Sequence, residues 1–238
     1  MPTPGNPDRS RPRLPSPVYR DLKAASGAQL DAVVTAYADA GVALESGDVA
    51  HAVTLLTDAK QRAARSAVVR EALGIALYLD GRFKDAGREL AAYRRMSGRQ
   101  DQNHLLADCA RANGQVNRAE ELVDEMIAAK VAPDRVAEGL LVVAGARADG
   151  GDVDAALAAL HRVDLAPRTV EPHHLRLWYF AADLERRRGD DEAAGGYLQA
   201  IATVDPAFLD VAEQLAELDG DAGDQSAPVS SAASRLRQ

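Results

Sequence analysis

Five times the sequence returns to a glycine with a polar residue beside it and an alanine five positions on. The phrase reads GDVAHA at Gly47–Ala52, GRFKDA at Gly81–Ala86 and GQVNRA at Gly114–Ala119, then GDVDAA at Gly151–Ala156 and GDDEAA at Gly189–Ala194. Successive glycines stand 34, 33, 37 and 38 residues apart. A period in this range marks an array of stacked supersecondary units. Glycine adopts the left-handed backbone that ends a helix at no steric cost. Asp48, Asp152 and Asp190 stand where a carboxylate caps the next helix. The alanine is small enough to let two helices approach. Each phrase is therefore the turn of a helical hairpin.

Helical periodicity runs on both sides of the turns. Val33, Ala36, Tyr37, Ala40 and Leu44 recur at three- and four-residue steps, and Val53, Leu56 and Ala59 continue the stripe in the partner helix. Leu73, Gly74 and Leu77, then Phe83, Ala86, Leu90 and Tyr93, mark the second pair. Hairpins are expected over 30–65, 67–97, 101–130, 134–164 and 173–204. The segment PAFLDVAEQLAEL at 206–218 reads as a helix started by Pro206 that covers the last apolar face. The low aromatic content of 4% suits helix packing better than a sandwich or barrel.

The ends differ in composition from the 18–218 region. Residues 1–17 are rich in Pro and Arg and read as a solvated arm, in which the P-x-x-P spacing at Pro12–Pro15 is a linker feature. Residues 219–238 read as a disordered tail. The first residues lack the apolar stretch of a secretory signal, and no run approaches the roughly 20 apolar residues of a membrane span. One cysteine, Cys109, excludes an internal disulfide and suits a reducing compartment. Only four of the 28 basic residues are lysine, an Arg and Ala bias that points to a GC-rich bacterial genome. A cytoplasmic location is expected.

The net charge of −8 is concentrated between the ends, because residues 1–23 are basic. An acidic body disfavours nucleic acid, whose binding requires a clustered basic face. No cofactor or metal is expected. His104 and Asp108 share a helix face beside Cys109, but two ligands do not make a zinc site. His173 and His174 are adjacent and diverge on a helix, which fits helix-start packing. Gly150–Gly151 leads into Asp152, the wrong charge for a phosphate cradle. Arg186, Arg187 and Arg188 close a helix, where cations favour the negative dipole end.

The units resemble the tetratricopeptide repeat (TPR). Leu73–Gly74 and Ala86 match its pattern in the second unit. Trp178, the small pair Ala181–Ala182, Ala194 and the closing Val204–Asp205–Pro206 match it in the fifth. The resemblance covers residues 30–218 and is weakest in the fourth unit. It implies an all-α, right-handed superhelical solenoid with a C-terminal capping helix, in which the first helix of each pair lines a concave groove. Groove residues would be Tyr37, Glu71, Tyr78, His104, Asp108 and Arg111, continued by Arg176, Tyr179, Asp183 and Arg186. Tyr37, Tyr78 and Tyr179 would anchor a partner segment, with Arg111, Arg176 and Arg186 pairing its acids.

The resemblance thus implies a non-catalytic scaffold for a protein or peptide partner. The Lys and Asn set with which some relatives hold a C-terminal carboxylate is missing, since Tyr37, Gly41 and Glu71 occupy that region. A pentatricopeptide-like RNA binder is the alternative raised by Leu122, Met126 and Pro133–Asp134. A structural or oligomerisation module is another.

Overall fold

The computed structural model describes residues 14–225, and every regular element among them is helical. Helix α1 (Ser16–Ser26) leads through a 3₁₀ turn, Gly27–Gln29, into five hairpins. These are α2 (Leu30–Glu45) with α3 (Val49–Arg62), α4 (Ala67–Leu79) with α5 (Phe83–Ser97), and α6 (Asn103–Ala112) with α7 (Val116–Ala128). They continue as α8 (Pro133–Asp149) with α9 (Val153–Leu160) and α10 (Pro172–Arg188) with α11 (Asp191–Val204), and α12 (Val211–Gln225) follows. The all-α helical-repeat architecture expected from the sequence is the one found.

All five turns close with the same hydrogen bonds. The residue after the glycine donates its N–H to a carbonyl five positions back: Asp48 to Ala43, Arg82 to Leu77, Gln115 to Ala110, Asp152 to Arg147 and Asp190 to Glu185, at 2.8–3.0 Å. The glycine itself donates to the carbonyl three back. This Schellman closure satisfies carbonyls the helix end would leave bare, and it needs a left-handed residue. The phrase glycines have φ from +74° to +86°. Asp48, Asp152 and Asp190 then cap the following helix, accepting from His51, Ala155 and Ala193 N–H at 3.0–3.1 Å. Arg82 and Gln115 hold the same place in the second and third turns and make no such cap.

The phrase alanines Ala52, Ala86, Ala119, Ala156 and Ala194 are all fully buried. Gly74 marks the tightest approach within a hairpin. A Cβ there would stand 2.7 Å from Leu90 Cγ and 3.2 Å from its backbone nitrogen, closer than α4 and α5 allow.

The chain forms two compact units, Met1–Val143 and Ala144–Gln238, divided within α8. In the first, each helix from α2 to α6 packs on the one before and the one after. One cluster gathers Leu56, Leu73, Leu77, Leu90 and Cys109; another gathers Leu22, Val33, Val34 and Val69. Helix α1 seals the second cluster through Leu22 and caps a helix far along the chain. Asp21 accepts from Ser66 Oγ and from Ala67 N–H at 3.2 Å, and the buried Ser66 Oγ accepts from Val69 N–H. Glu89, buried on α5, ties three helices by accepting from Lys60 Nζ on α3 at 2.9 Å and Arg70 Nη1 on α4 at 2.6 Å. In the second unit α10 packs on α9 and α11, and α11 on α12, around Trp178, Ala194, Leu198 and Ile201. Trp178 Nε1 donates to Leu165 O at 2.7 Å and fixes the connection before α10.

Three boundaries differ from the sequence reading. Helix α9 stops at Leu160, after which the Asp164 carboxylate turns the chain by accepting from Ala166 N–H, just before Pro167. Helix α12 starts at Val211, not Pro206: Asp205 accepts from Ala207 N–H and its carbonyl from Phe208 N–H, and Leu209 takes φ +45°. The Asp205 carbonyl is taken by Phe208 in a short turn, and the left-handed backbone at Leu209 stops a helix from running on from Pro206. Helix α12 also continues to Gln225, where a tail was expected from 219. Helix α1 begins at Ser16, inside the stretch read as arm. Residues 1–13 of the arm and 226–238 of the tail lie outside the described residues.

Candidate functional site

The expected groove residues all stand on the first helices of their hairpins, α2, α4, α6 and α10. Many of them bond to a neighbouring helix of the same row. Tyr78 Oη donates to Asp108 Oδ2 at 2.6 Å, joining α4 to α6, and Arg111 Nε donates to Asp108 Oδ1 at 2.6 Å. Tyr78 also meets the Phe83 ring edge-on at 5.5 Å. Burial first, then the Asp108 carboxylate, raises the Tyr78 phenol well above its ordinary value. Glu71 accepts from Gln102 Nε2 at 2.7 Å, the same α4-to-α6 step.

The second unit repeats the scheme nearer to solvent. Tyr179 Oη donates to Asp210 Oδ1 at 2.7 Å and accepts from Gln214 Nε2 at 3.1 Å. Arg186 reaches Glu217 at 3.3 Å, while Asp183 pairs with Arg187 on its own helix at 2.8 Å. Helix α12 thus meets α10 as one first-row helix meets the next. Arg176 is exposed.

His104 and Asp108 do not act together. Asp108 serves Tyr78 and Arg111. His104 is half-buried, its Nδ1 lacks a hydrogen-bond partner, and burial followed by the Arg135 charge lowers its pKa. Cys109 lies beneath, its thiol pushed up to about 12 by burial and then by Asp108, so it is neutral and a poor nucleophile. Among the described residues no three His, Cys, Asp or Glu side chains gather as a metal site.

Tyr37 and the braced Glu71 also border open space. With Ala40, Gly41 and Leu44 of α2 and Ala72 and Ile75 of α4, they line a cleft of about 320 Å³ whose floor includes Leu56. Burial, then the Glu71 and Asp21 charges, raises the Tyr37 phenol. Gly41 is exposed in mid-helix with nothing within 4 Å of where its Cβ would be. Helix packing does not require a glycine there, and glycine costs a helix interior about 1 kcal/mol relative to alanine. That mismatch was the one signal of the cleft available in the sequence. Leu44, Ala72 and Ile75 read simply as apolar periodicity.

Among solved structures, YrrB, a TPR protein with an unusual peptide-binding site, matches at TM-score 0.54 and 16% identity, over 86% of this chain and 97% of that one. The fold is TPR-like. A MamA RS-1 ArsTM double mutant shares the TPR-like fold at TM-score 0.57 and 15% identity, over 82% of this chain and 98% of that one. No protein-family model matches the sequence, and no curated protein matches it. No described helix is long and apolar enough to cross a membrane.

Proposed function

We propose that the chain is a non-catalytic interaction scaffold that takes up a segment of a partner protein on its first-row helices, with the α2–α4 cleft as the main contact. The observation that carries this reading is the cleft itself: an apolar floor, a tyrosine and a carboxylate at its edge, and a mid-helix glycine that leaves it open. Such a site receives a side chain on apolar surface and fixes it with a few polar groups. The peptide-binding description of YrrB agrees with this mode. In the first unit Tyr78, Asp108, Arg111 and Glu71 hold their side chains through their own pairs and with His104 give a polar border; in the second Tyr179, Asp183 and Arg186 do so with Arg176. The neutral Cys109 thiol and the divided His104 and Asp108 suit binding rather than catalysis.

Affinity purification from the native host tests this, comparing the unaltered chain with Gly41→Leu, which puts a side chain into the cleft at a position where a Cβ meets nothing within 4 Å. Partners should be captured by the first and lost by the second, while both melt alike. Equal capture by the two would remove the cleft from the account.

A further inference from the structure

A second cleft, of about 420 Å³, lies between α5 and α7 over α6, away from the first-row surface used above. Phe83, Ala91, Leu106, Cys109 and Leu122 give it apolar lining. Gly87 sits in the middle of α5, and a Cβ there would stand 3.4 Å from Cys109 Cβ, at the near edge of ordinary contact. Like Gly41, it is a mid-helix glycine that packing does not demand, and it keeps a hollow open.

The rim is positive on a chain whose net charge is −8. Lys84, Arg88, Arg94 and Arg118 surround the apolar surface. Asp85 is shared between Arg82 and Arg88 at 2.9 and 3.0 Å and Glu125 between Arg94 and Arg118, while Glu121 pairs with Arg118 at 2.7 Å. Arg94 also keeps a buried Nε–H with no hydrogen-bond partner, while its Nη2 serves Glu125.

We propose that this cleft docks an acidic peptide segment of a partner protein in which one bulky apolar side chain lies beside a carboxylate. The side chain rests on Phe83, Leu106 and Cys109, and the carboxylate pairs with the exposed Lys84 and Arg88 at the same end of α5. A neutral apolar segment would leave those charges unmatched. A small anion would leave the apolar floor in water. Only a segment with both groups answers both features.

The test is fluorescence anisotropy on the full chain with two labelled synthetic dodecapeptides. One carries a single Phe flanked by Asp and Glu; in the other Lys and Arg replace the acids. The acidic peptide should bind about tenfold tighter or more, and its binding should weaken as salt rises. Gly87→Leu, which fills the floor, and the exposed pair Lys84→Glu with Arg88→Glu should each weaken it about tenfold. Gly41→Leu in the other cleft should leave it unchanged, so failure here and failure of the scaffold reading are separable. Should Gly87→Leu not fold, the exposed charge pair carries the test alone. Equal binding of the two peptides, or native affinity in the charge-reversed variant, overturns the proposal. So does a dimer on light scattering that Gly87→Leu breaks, because the occupant is then a second copy of this chain.

Discussion

Two tyrosines perform the same task in the two units under different conditions. Tyr78 in the first unit and Tyr179 in the second each donate to an aspartate about one repeat further on. Asp108 is buried and also holds Arg111, whereas Asp210 stands exposed with Gln214 as its other partner. The chemistry is shared and the surroundings are not, so equal bond lengths should carry unequal stability. Removing a buried carboxylate leaves donors such as the half-buried Tyr78 only partly open to water, and removing an exposed one lets water replace it.

The largest expected effect breaks that pair apart. Asp108→Ala should cost about 2–3 kcal/mol because it leaves the Tyr78 hydroxyl and Arg111 unpaired, while Asp210→Ala should cost under about 1 kcal/mol. Urea denaturation of both variants checks this, and equal losses would contradict the burial argument. Glycines sharpen the contrast next. Gly74→Ala should destabilise the first unit by about 1–3 kcal/mol through its clash with Leu90. Gly196→Ala in α11 meets nothing within 4 Å and should stabilise the second by about 0.5–1 kcal/mol. Thermal melts that shift the same way for both would refute the assigned packing.

The third effect is on pH dependence. Burial raises the Glu89 carboxyl, but Lys60 and Arg70 outweigh it and hold its pKa below the ordinary glutamate value. The stability it contributes is therefore complete above about pH 4.5, its unfolded value, and is lost as pH falls through the lower folded value. Glu89→Gln should flatten the acid limb of a stability–pH curve, and an unaltered limb would count against the three-helix tie.

The smallest effects are at the turns and should be alike in the two units. Asp48→Ala and Asp190→Ala should each cost about 1 kcal/mol, and Gln115→Asp should add about 0.5 kcal/mol by supplying a missing cap. Chemical denaturation of the three variants checks all of these.

The turns were legible because their chemistry is local. Gly47, Asp48 and Ala52 lie within six residues, and helix closure, capping and close packing each demand one of them. The surface row was legible only as a list of faces. Helical spacing places Tyr78 and Tyr179 on it, but their partners lie about thirty residues on, and periodicity cannot show which hydroxyls are already engaged. Asp21 capping the start of α4 is non-local in the same way. The start of α12 was missed because Asp205 and Leu209 build a turn where Pro206 advertises a helix. The clefts are gaps between helices, and only the unneeded glycines 41 and 87 hint at them.

Hydrogen exchange on the chain bound to its captured partner tests the central claim most directly. The account predicts new protection in peptides covering 34–46 and 68–79, the walls of the α2–α4 cleft. Protection confined to 172–188 and 211–220, with those two segments unchanged, would contradict it.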